Sequence, residues 1–139
     1  VDSIPIGRQI AALIPGAIFV NGQDVKDPKK RQKVYDMFAT HDNLVVIATV
    51  HIAGTGLSIN RIFNLIFIDI GKSFIRVIQA IGRGLRMDDD KDHVSCTDIC
   101  SDLKYGKKHL ADRIKFYKEA RYPHKKTKIK YNNDVLEDI

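Results

Sequence analysis

Short apolar runs recur along the chain, and each is bounded by polar or turn-forming residues. They predict strands at residues 17–20, 44–48 and 64–70, and the less regular segment 94–99 fits an outer strand after an acidic turn. Continuous apolar runs of this length are typical of strands that are buried on both faces of a parallel sheet. Longer segments with helical periodicity separate them. This alternation predicts an α/β fold, a doubly wound and mostly parallel sheet with helices on both faces.

Helix signals fill the intervals between the predicted strands. Helices are predicted at residues 6–14, from residue 28 onward, from residue 73 to about residue 85, and at residues 107–120. Asp27 is expected to cap the second helix, with Pro28 at its first position. In the last helix His109, Arg113 and Tyr117 repeat at one-turn spacing. We expect this stripe to pack against the sheet, and a DNA-facing role is the alternative.

The positive charge is concentrated in the last third of the chain. The net charge is +6, and residues 104–130 contain eleven Lys and Arg against two acids, Asp112 and Glu119. Such a basic segment favours a polyanionic partner, because lysines and arginines displace the counterions of nucleic acids. A lysine-rich helix that is merely solvated is the alternative. The length of 139 residues is sufficient for one domain with its own core.

Several classes of function are not supported by the sequence. Cys96 and Cys100 are four residues apart and have no second ligand pair nearby, so two buried reduced thiols are expected and no metal site. The five histidines show neither metal-ligand spacing nor a neighbouring nucleophile motif. The apolar runs are too short to cross a bilayer, and no secretory signal is visible. A cytoplasmic protein with no membrane partner is therefore expected.

Two arginines stand three positions apart in the segment 79–86, whose sequence is Q-A-I-G-R-G-L-R. On a helix this spacing places Arg83 and Arg86 on one face. Guanidinium groups are planar and permanently charged, so such a pair suits a polyphosphate. The alternative is that these arginines pair with Asp69 or with the acidic turn at residues 88–92.

A glycine-containing loop follows the strand predicted at residues 44–48. Thr49 ends that strand, and Gly54 and Gly56 lie in the loop. In parallel sheets ligands gather at the carboxyl ends of the strands, and glycine lets the backbone approach a phosphate closely. A tight turn with no ligand is the alternative.

Together these segments resemble two motifs of superfamily 2 helicases. Residues 48–49 with 56–59 resemble motif V, and residues 79–86 fit the pattern Q-x-x-G-R-x-x-R of motif VI. Within that superfamily the chain resembles the UvsW-like recombination and repair helicases of phages. The resemblance covers essentially the whole chain and corresponds to the second of two RecA-type domains. It implies an N-terminally truncated domain at residues 1–123 and a basic tail at 124–139, with one short strand at 128–131.

The resemblance also implies roles for particular residues. The catalytic pair would be Arg83 and Arg86, acting on the ATP phosphates. The ATP-binding set would be Gly56, Ser58, Gln79, Arg83 and Arg86. The nucleic-acid-binding set would be Ser3, Gly22, Arg31 and Thr49. Ser58 stands where many members of the superfamily carry an acid that contacts the ribose.

The sequence contains neither a G-x-x-x-x-G-K-[ST] phosphate loop nor a D-E-x-x acidic pair for magnesium. ATP and Mg²⁺ are therefore expected to bind mainly to an N-terminal RecA-like domain of the same protein, and the isolated chain is expected to be inactive. The resemblance implies a motor domain of an ATP-dependent DNA helicase or translocase that acts on branched DNA in recombination, repair or replication. The protein would act in the cytoplasm, and if a phage encodes it, in the cytoplasm of the host cell. The alternatives are a non-catalytic nucleic-acid-binding module with a RecA-like fold and the motor of a restriction or chromatin-type translocase.

Overall fold

The computed structural model describes residues 1–22, 26–53, 61–71, 75, 78–79, 82 and 93–130. Along the chain the helices and strands are α1 (Ile4–Leu13), β1 (Ile18–Val20), α2 (Pro28–Thr40), β2 (Val46–Ala48), α3 (Val50–Ala53), β3 (Asn64–Ile68), β4 (Ser95–Ile99) and α4 (Lys104–Glu119). Residues 75, 78, 79 and 82 are also helical, within the helix predicted from residue 73. The α/β alternation predicted from the sequence is therefore present.

The described strands form two parallel pairs. Ile18 lies opposite Val46 in the pair β1–β2, and Ile68 lies opposite Ile99 in the pair β3–β4. Parallel pairing is confirmed, and each strand lies within its predicted run. The predicted single sheet is not continuous in the described residues, where the four strands form two separate two-stranded sheets.

The N-terminal segment lies between the two strand pairs. The amino group of Val1 donates to the carbonyl of Ala48 at 3.1 Å, and the N–H of Val50 donates to the carbonyl of Val1 at 2.9 Å. This is the pattern of a parallel ladder on the edge of β2 that faces away from β1. On its other side the segment approaches the end of β3, because a Cβ at Gly71 would lie 3.4 Å from the Asp2 carboxylate.

Both strand pairs contribute buried residues: Val20 of β1, Ile47 of β2 and Phe67 of β3. Val50, Phe67 and Ile70 form a buried cluster, and Leu65, Ile78, Phe116 and Tyr117 pack against it. Helix α1 contacts β1 and β2. It does so through Gly7, where any Cβ would overlap the ring of Phe19. The glycine inside α1 is therefore explained by the close approach of helix and strand.

A buried ion pair fastens α4 to the sheet. Arg113 is 3 % exposed. Its Nε and Nη2 donate to the two carboxylate oxygens of Asp98 in β4, at 2.7 and 2.9 Å, and its Nη1 donates to the carbonyl of Ile70. Burial disfavours the charged guanidinium, but the Asp98 carboxylate outweighs it, and the pKa of Arg113 is raised. Arg113 therefore stays charged while it is packed inside the protein.

The rest of the predicted stripe also faces the sheet. The hydroxyl of Tyr117 donates to Asp98 at 2.9 Å, and burial, followed by the Asp98 carboxylate, raises the pKa of Tyr117 so that it stays a neutral donor. The ring of His109 lies against Gly71, 3.7 Å from the position of a Cβ there. The prediction that this stripe packs α4 on the sheet is confirmed, and the DNA-facing alternative is wrong for Arg113.

The start of α4 is packed closely against the ends of β3 and β4. The hydroxyl of Ser101 donates to the carboxylate of Asp69, at 3.1 and 3.0 Å from its two oxygens. A Cβ at Gly106 would lie only 2.6 Å from that hydroxyl and 2.7 Å from the Ser101 carbonyl. Only glycine fits at this position, so the first turn of α4 is held next to the carboxyl ends of both strands.

The chain reverses direction after α4 and returns along it. Arg121 has a φ of 58°, and the N–H of Tyr122 donates to the carbonyl of Tyr117 at 2.9 Å, as in a Schellman motif. The ring of Tyr122 packs edge-on against Phe116 with centroids 6.3 Å apart. Farther along, Lys128 lies 3.8 Å from Asp102. Residues 122–130 have no regular secondary structure, so the strand predicted at 128–131 is not formed over residues 128–130.

The buried pair generates a test of stability. Asp98→Ala leaves the Arg113 guanidinium buried without its counter-ion, and we expect it to lower the free energy of unfolding by about 3–5 kcal/mol. Tyr117→Phe removes one hydrogen bond and should lower it by about 1 kcal/mol. Urea unfolding followed by circular dichroism measures both.

The matched control is Lys115→Ala, which removes an exposed contact of 3.9 Å with Glu119. Exposed pairs of this kind contribute less than about 1 kcal/mol, so this variant should unfold close to the wild-type midpoint. If Asp98→Ala is as mild as Lys115→Ala, the buried pair is not what fastens α4.

Candidate nucleic-acid and nucleotide site

Three of the four residues predicted to contact nucleic acid follow the ends of adjacent strands. Thr49 follows β2 directly, and Gly22 lies two residues after β1. Because Val20 is opposite Ala48 in the parallel register, both segments leave the sheet at the same edge. The ladder places Val1 opposite Thr49, so Ser3 also follows at this edge. The fold therefore brings together residues that are far apart in sequence.

Thr49 and Ser3 both begin helices at this edge. The carbonyl of Thr49 accepts from the N–H of Ile52 at 2.9 Å, in the first turn of α3. Thr49 is 6 % exposed, so little of its surface is available to a bound molecule in this arrangement. The hydroxyl of Ser3 accepts from the N–H of Ile6 at 3.4 Å and caps α1. Pro5 has no N–H and that of Ile6 is bonded to Ser3, so the first turn of α1 leaves few N–H groups for an anion.

Gly22 is exposed, and the described structure does not require glycine at this position. A Cβ built at this position would meet nothing within 4 Å, and its φ is outside the left-handed region. Neither crowding nor backbone conformation within the described residues accounts for the missing side chain. A bare backbone at this point remains open to close approach from outside.

Arg31 lies in the first turn of α2, as its predicted role requires. The side chain of Asp27 accepts from the N–H of Lys29 at 2.9 Å, which confirms the predicted cap and the start of the helix. Arg31 is exposed, and the first turn contains no acidic residue. Its positive charge therefore adds to the positive end of the helix dipole. The result is an electropositive helix end.

The nucleotide-binding set lies mostly outside the described residues. Gly56, Ser58, Arg83 and Arg86 are all outside them, and so is the acidic turn at residues 88–92. Gln79 is described, and it is helical and exposed. Its neighbour Ile78 packs against the buried cluster, so this helix turns Ile78 inward and leaves Gln79 accessible.

Arg61 connects two chain segments, and the sequence did not predict this role. Its Nη1 donates to the carbonyl of Ala39, near the end of α2, at 2.9 Å. Its Nη2 donates to Asp42 at 3.1 Å. Arg61 thereby joins the segment that leads into β3 to the helix that carries Arg31. No sequence pattern marks this pair, because its members are 19 residues apart and lie outside regular secondary structure.

Both cysteines are free thiols, and the prediction that they are buried is wrong for Cys96, which is exposed. The Sγ of Cys100 donates to the carbonyl of Gly106 at 3.1 Å. Desolvation by neighbouring atoms, followed by the Asp98 carboxylate, raises the pKa of Cys96 to about 11. In the part of the chain that the structure describes, no group of three or more His, Cys, Asp or Glu could hold a metal ion.

Comparison with known proteins gives one match. A family model described as the helicase conserved C-terminal domain matches residues 17–88, just over half of the chain. No match was found among curated proteins or among solved structures. The matched range contains every predicted site residue except Ser3. Among the described residues no helix is both long and apolar enough to span a bilayer.

The contacts of Arg61 generate a test of local stability. Arg61→Ala should speed the hydrogen exchange of amides near residues 39–43 and 61–63, because the segment before β3 loses its attachment to α2. Since the pair is exposed, the free energy of unfolding should fall by no more than about 1 kcal/mol. Asp42→Ala is the control, because it keeps the bond to Ala39 and should have the smaller effect. Equal exchange rates in Arg61→Ala and wild type would show that Arg61 does not hold this segment.

Proposed function

Because this chain belongs to the helicase conserved C-terminal domain family, we propose that it is the second RecA-type motor domain of an ATP-dependent DNA helicase or translocase. The family implies a RecA-like α/β fold, a helicase-type ATPase in the full protein and interaction with nucleic acid. The parallel strand pairs and the helices between them agree with that fold. The observation that carries the proposal is the gathering of Ser3, Gly22 and Thr49 at one edge of the parallel strands.

The nucleic-acid strand would follow this edge. Its phosphates would approach the bare backbone at Gly22 and the hydroxyl of Ser3, which can still donate its proton. Arg31 would bind a phosphate from the electropositive first turn of α2, and Thr49 would contribute through its position between β2 and α3. Contacts of this kind read the backbone and not the base sequence, which suits a motor that moves along DNA.

The second task of the domain would be to complete the site of ATP hydrolysis. Arg83 and Arg86 would stabilise the negative charge that spreads over the γ-phosphate oxygens in the transition state. Gln79 would couple this site to the other domain, and its exposure on the described helix supports an external contact. Gly56 and Ser58 would lie near the nucleotide. ATP and Mg²⁺ would be bound mainly by the N-terminal RecA-like domain of the same protein.

The finer assignment is to UvsW-like helicases. It is supported by the resemblance of residues 48–59 and 79–86 to motifs V and VI. It implies branched DNA as substrate, a role in recombination, repair or replication, and a cytoplasmic location. A non-catalytic nucleic-acid-binding module is the rival from another class, and the motor of a restriction or chromatin-type translocase is the rival within the same class. The pair Arg83 and Arg86 favours a motor, because a protein that only binds nucleic acid has no use for it.

The isolated chain should hydrolyse no ATP, because its sequence has no phosphate loop and no acidic pair for magnesium. The measurement is phosphate release by a highly purified sample with and without single-stranded DNA. Turnover that copurifies with the chain through several columns would contradict the assignment of ATP binding to another domain.

The arginine pair is tested in the complete two-domain protein. Arg83→Ala or Arg86→Ala should lower the maximal DNA-stimulated ATPase rate at least a hundredfold, a barrier increase of about 3 kcal/mol. DNA affinity and the melting temperature should change little, because the arginines act on the transition state. Arg→Lys should restore little activity, since one ammonium group cannot replace the guanidinium fork.

Arg8→Ala is the matched control, because it removes an exposed arginine from α1 and should leave the rate unchanged. If the Arg83 and Arg86 variants hydrolyse ATP normally but unfold several degrees earlier, the two arginines are structural and the motor assignment fails.

A further inference from the structure

The outer face of α4 carries a row of lysines. Lys104, Lys108, Lys115 and Lys118 are all exposed. At roughly 100° of rotation per residue, each lies about 140–180° around the helix from the buried Arg113. The row extends for about 21 Å along the helix axis. Because Arg113 fixes the inner face, these lysines are fixed on the side that faces solvent.

The N-terminal half of the row is not placed where it would stabilise the helix. The first turn of α4 contains no acidic residue, and its N-cap, Leu103, makes no side-chain capping bond. Cations at a helix N-terminus are opposed by the helix dipole. At the other end, Lys118 lies in the last turn, where the helix dipole favours a cation, and Lys115 makes an exposed contact of 3.9 Å with Glu119. Helix stability therefore does not explain the N-terminal half of the row.

The returning chain enlarges this positive surface. Its ring contacts with Phe116 and Tyr117 hold residues 122–124 on α4. Asp102 then lies between a helix lysine, Lys107 at 3.1 Å, and a lysine of the returning segment, Lys128 at 3.8 Å. All four lysines of the returning segment are exposed: Lys125, Lys126, Lys128 and Lys130. Lys107 and Lys128 thus share Asp102, which places the returning segment beside the first turn of α4.

The aromatic residues of this region indicate which form of nucleic acid the surface fits. Phe116 and Tyr117 pack on the core cluster, and Tyr122 packs on Phe116. Tyr105 and Tyr122 are exposed, but they lie near opposite ends of α4 and do not form a series. Surfaces that bind single strands combine positive charge with a series of aromatic stacking platforms. A duplex keeps its bases stacked inside and offers its phosphates to a row of lysines.

We propose that the outer face of α4 and residues 122–130 bind the phosphate backbone of double-stranded nucleic acid, at a surface separate from the strand track at the β1–β2 edge. This inference rests on the proposed function for its class of partner. It adds a second contact, through which the motor would hold a duplex arm while the track holds a single strand. The four helix lysines and the four tail lysines supply the charge.

The test uses the complete two-domain protein with Lys104, Lys108, Lys115 and Lys118 all changed to Gln. Fluorescence anisotropy measures its affinity for a blunt duplex and for a single strand of equal length, over a range of salt concentrations. Duplex affinity should fall at least tenfold, and the slope of log K against log salt should decrease by about 0.9 for each phosphate that the variant no longer neutralises. Single-strand affinity and the ATPase rate stimulated by single strands should stay within about twofold.

The matched control changes Lys26, Lys29, Lys30 and Lys33 of the α2 region to Gln, which removes the same charge elsewhere on the surface. It should weaken single-strand binding more than duplex binding. Equal loss of duplex affinity in both variants would show that only net charge matters, and unchanged duplex affinity in the α4 variant would show that the surface does not bind duplex. Either result overturns the inference. A wild-type protein without DNA-stimulated ATPase activity would instead contradict the proposed motor function, and duplex binding would still be measured independently.

Discussion

The arrangement of the second half of the molecule depends on the partly buried carboxylate of Asp98. It accepts hydrogen bonds from Arg113 and Tyr117, which lie one turn apart on α4. Arg113 also reaches the carbonyl of Ile70, so a single side chain connects α4, β4 and the segment after β3. Two apolar residues could pack as stably in its place. A bidentate pair, however, is satisfied in only one rotation of the helix, so it fixes which face of α4 is buried.

Because the rotation of α4 is fixed, its arginine and its exposed lysines lie on opposite faces of the helix. Arg113 is neutralised inside the protein, and the lysines are left on the opposite face. Arg113 is buried and so contributes nothing to the exposed positive surface. The returning segment, however, adds exposed lysines next to the helix. The electrostatic character of this end of the molecule is thus a consequence of how its interior is bonded.

At the other strand pair the organising constraint is parallel pairing. Adjacent parallel strands end at the same edge, so the residues that follow them meet even when they are far apart in sequence. The ladder between Val1 and β2 adds a third chain segment to this edge. Arg61 then attaches the segment before β3 to α2. The candidate nucleic-acid track depends on these backbone alignments more than on contacts among its own side chains.

By itself the sequence determined the features that arise from neighbouring residues: the apolar runs that became strands, the Asp27 cap, and the helical repeat that turned Arg113 and Tyr117 inward. It also determined the family, through short motifs of fixed spacing. Only the tertiary structure decided that Asp98 is the partner of Arg113, that Arg61 holds α2, and that residues 122–130 return along α4. Each of these contacts joins segments whose separation leaves no periodic signal, since it depends on where the chain turns. For the same reason the sequence could count eleven basic residues between 104 and 130, but only the fold showed that one of them is internal.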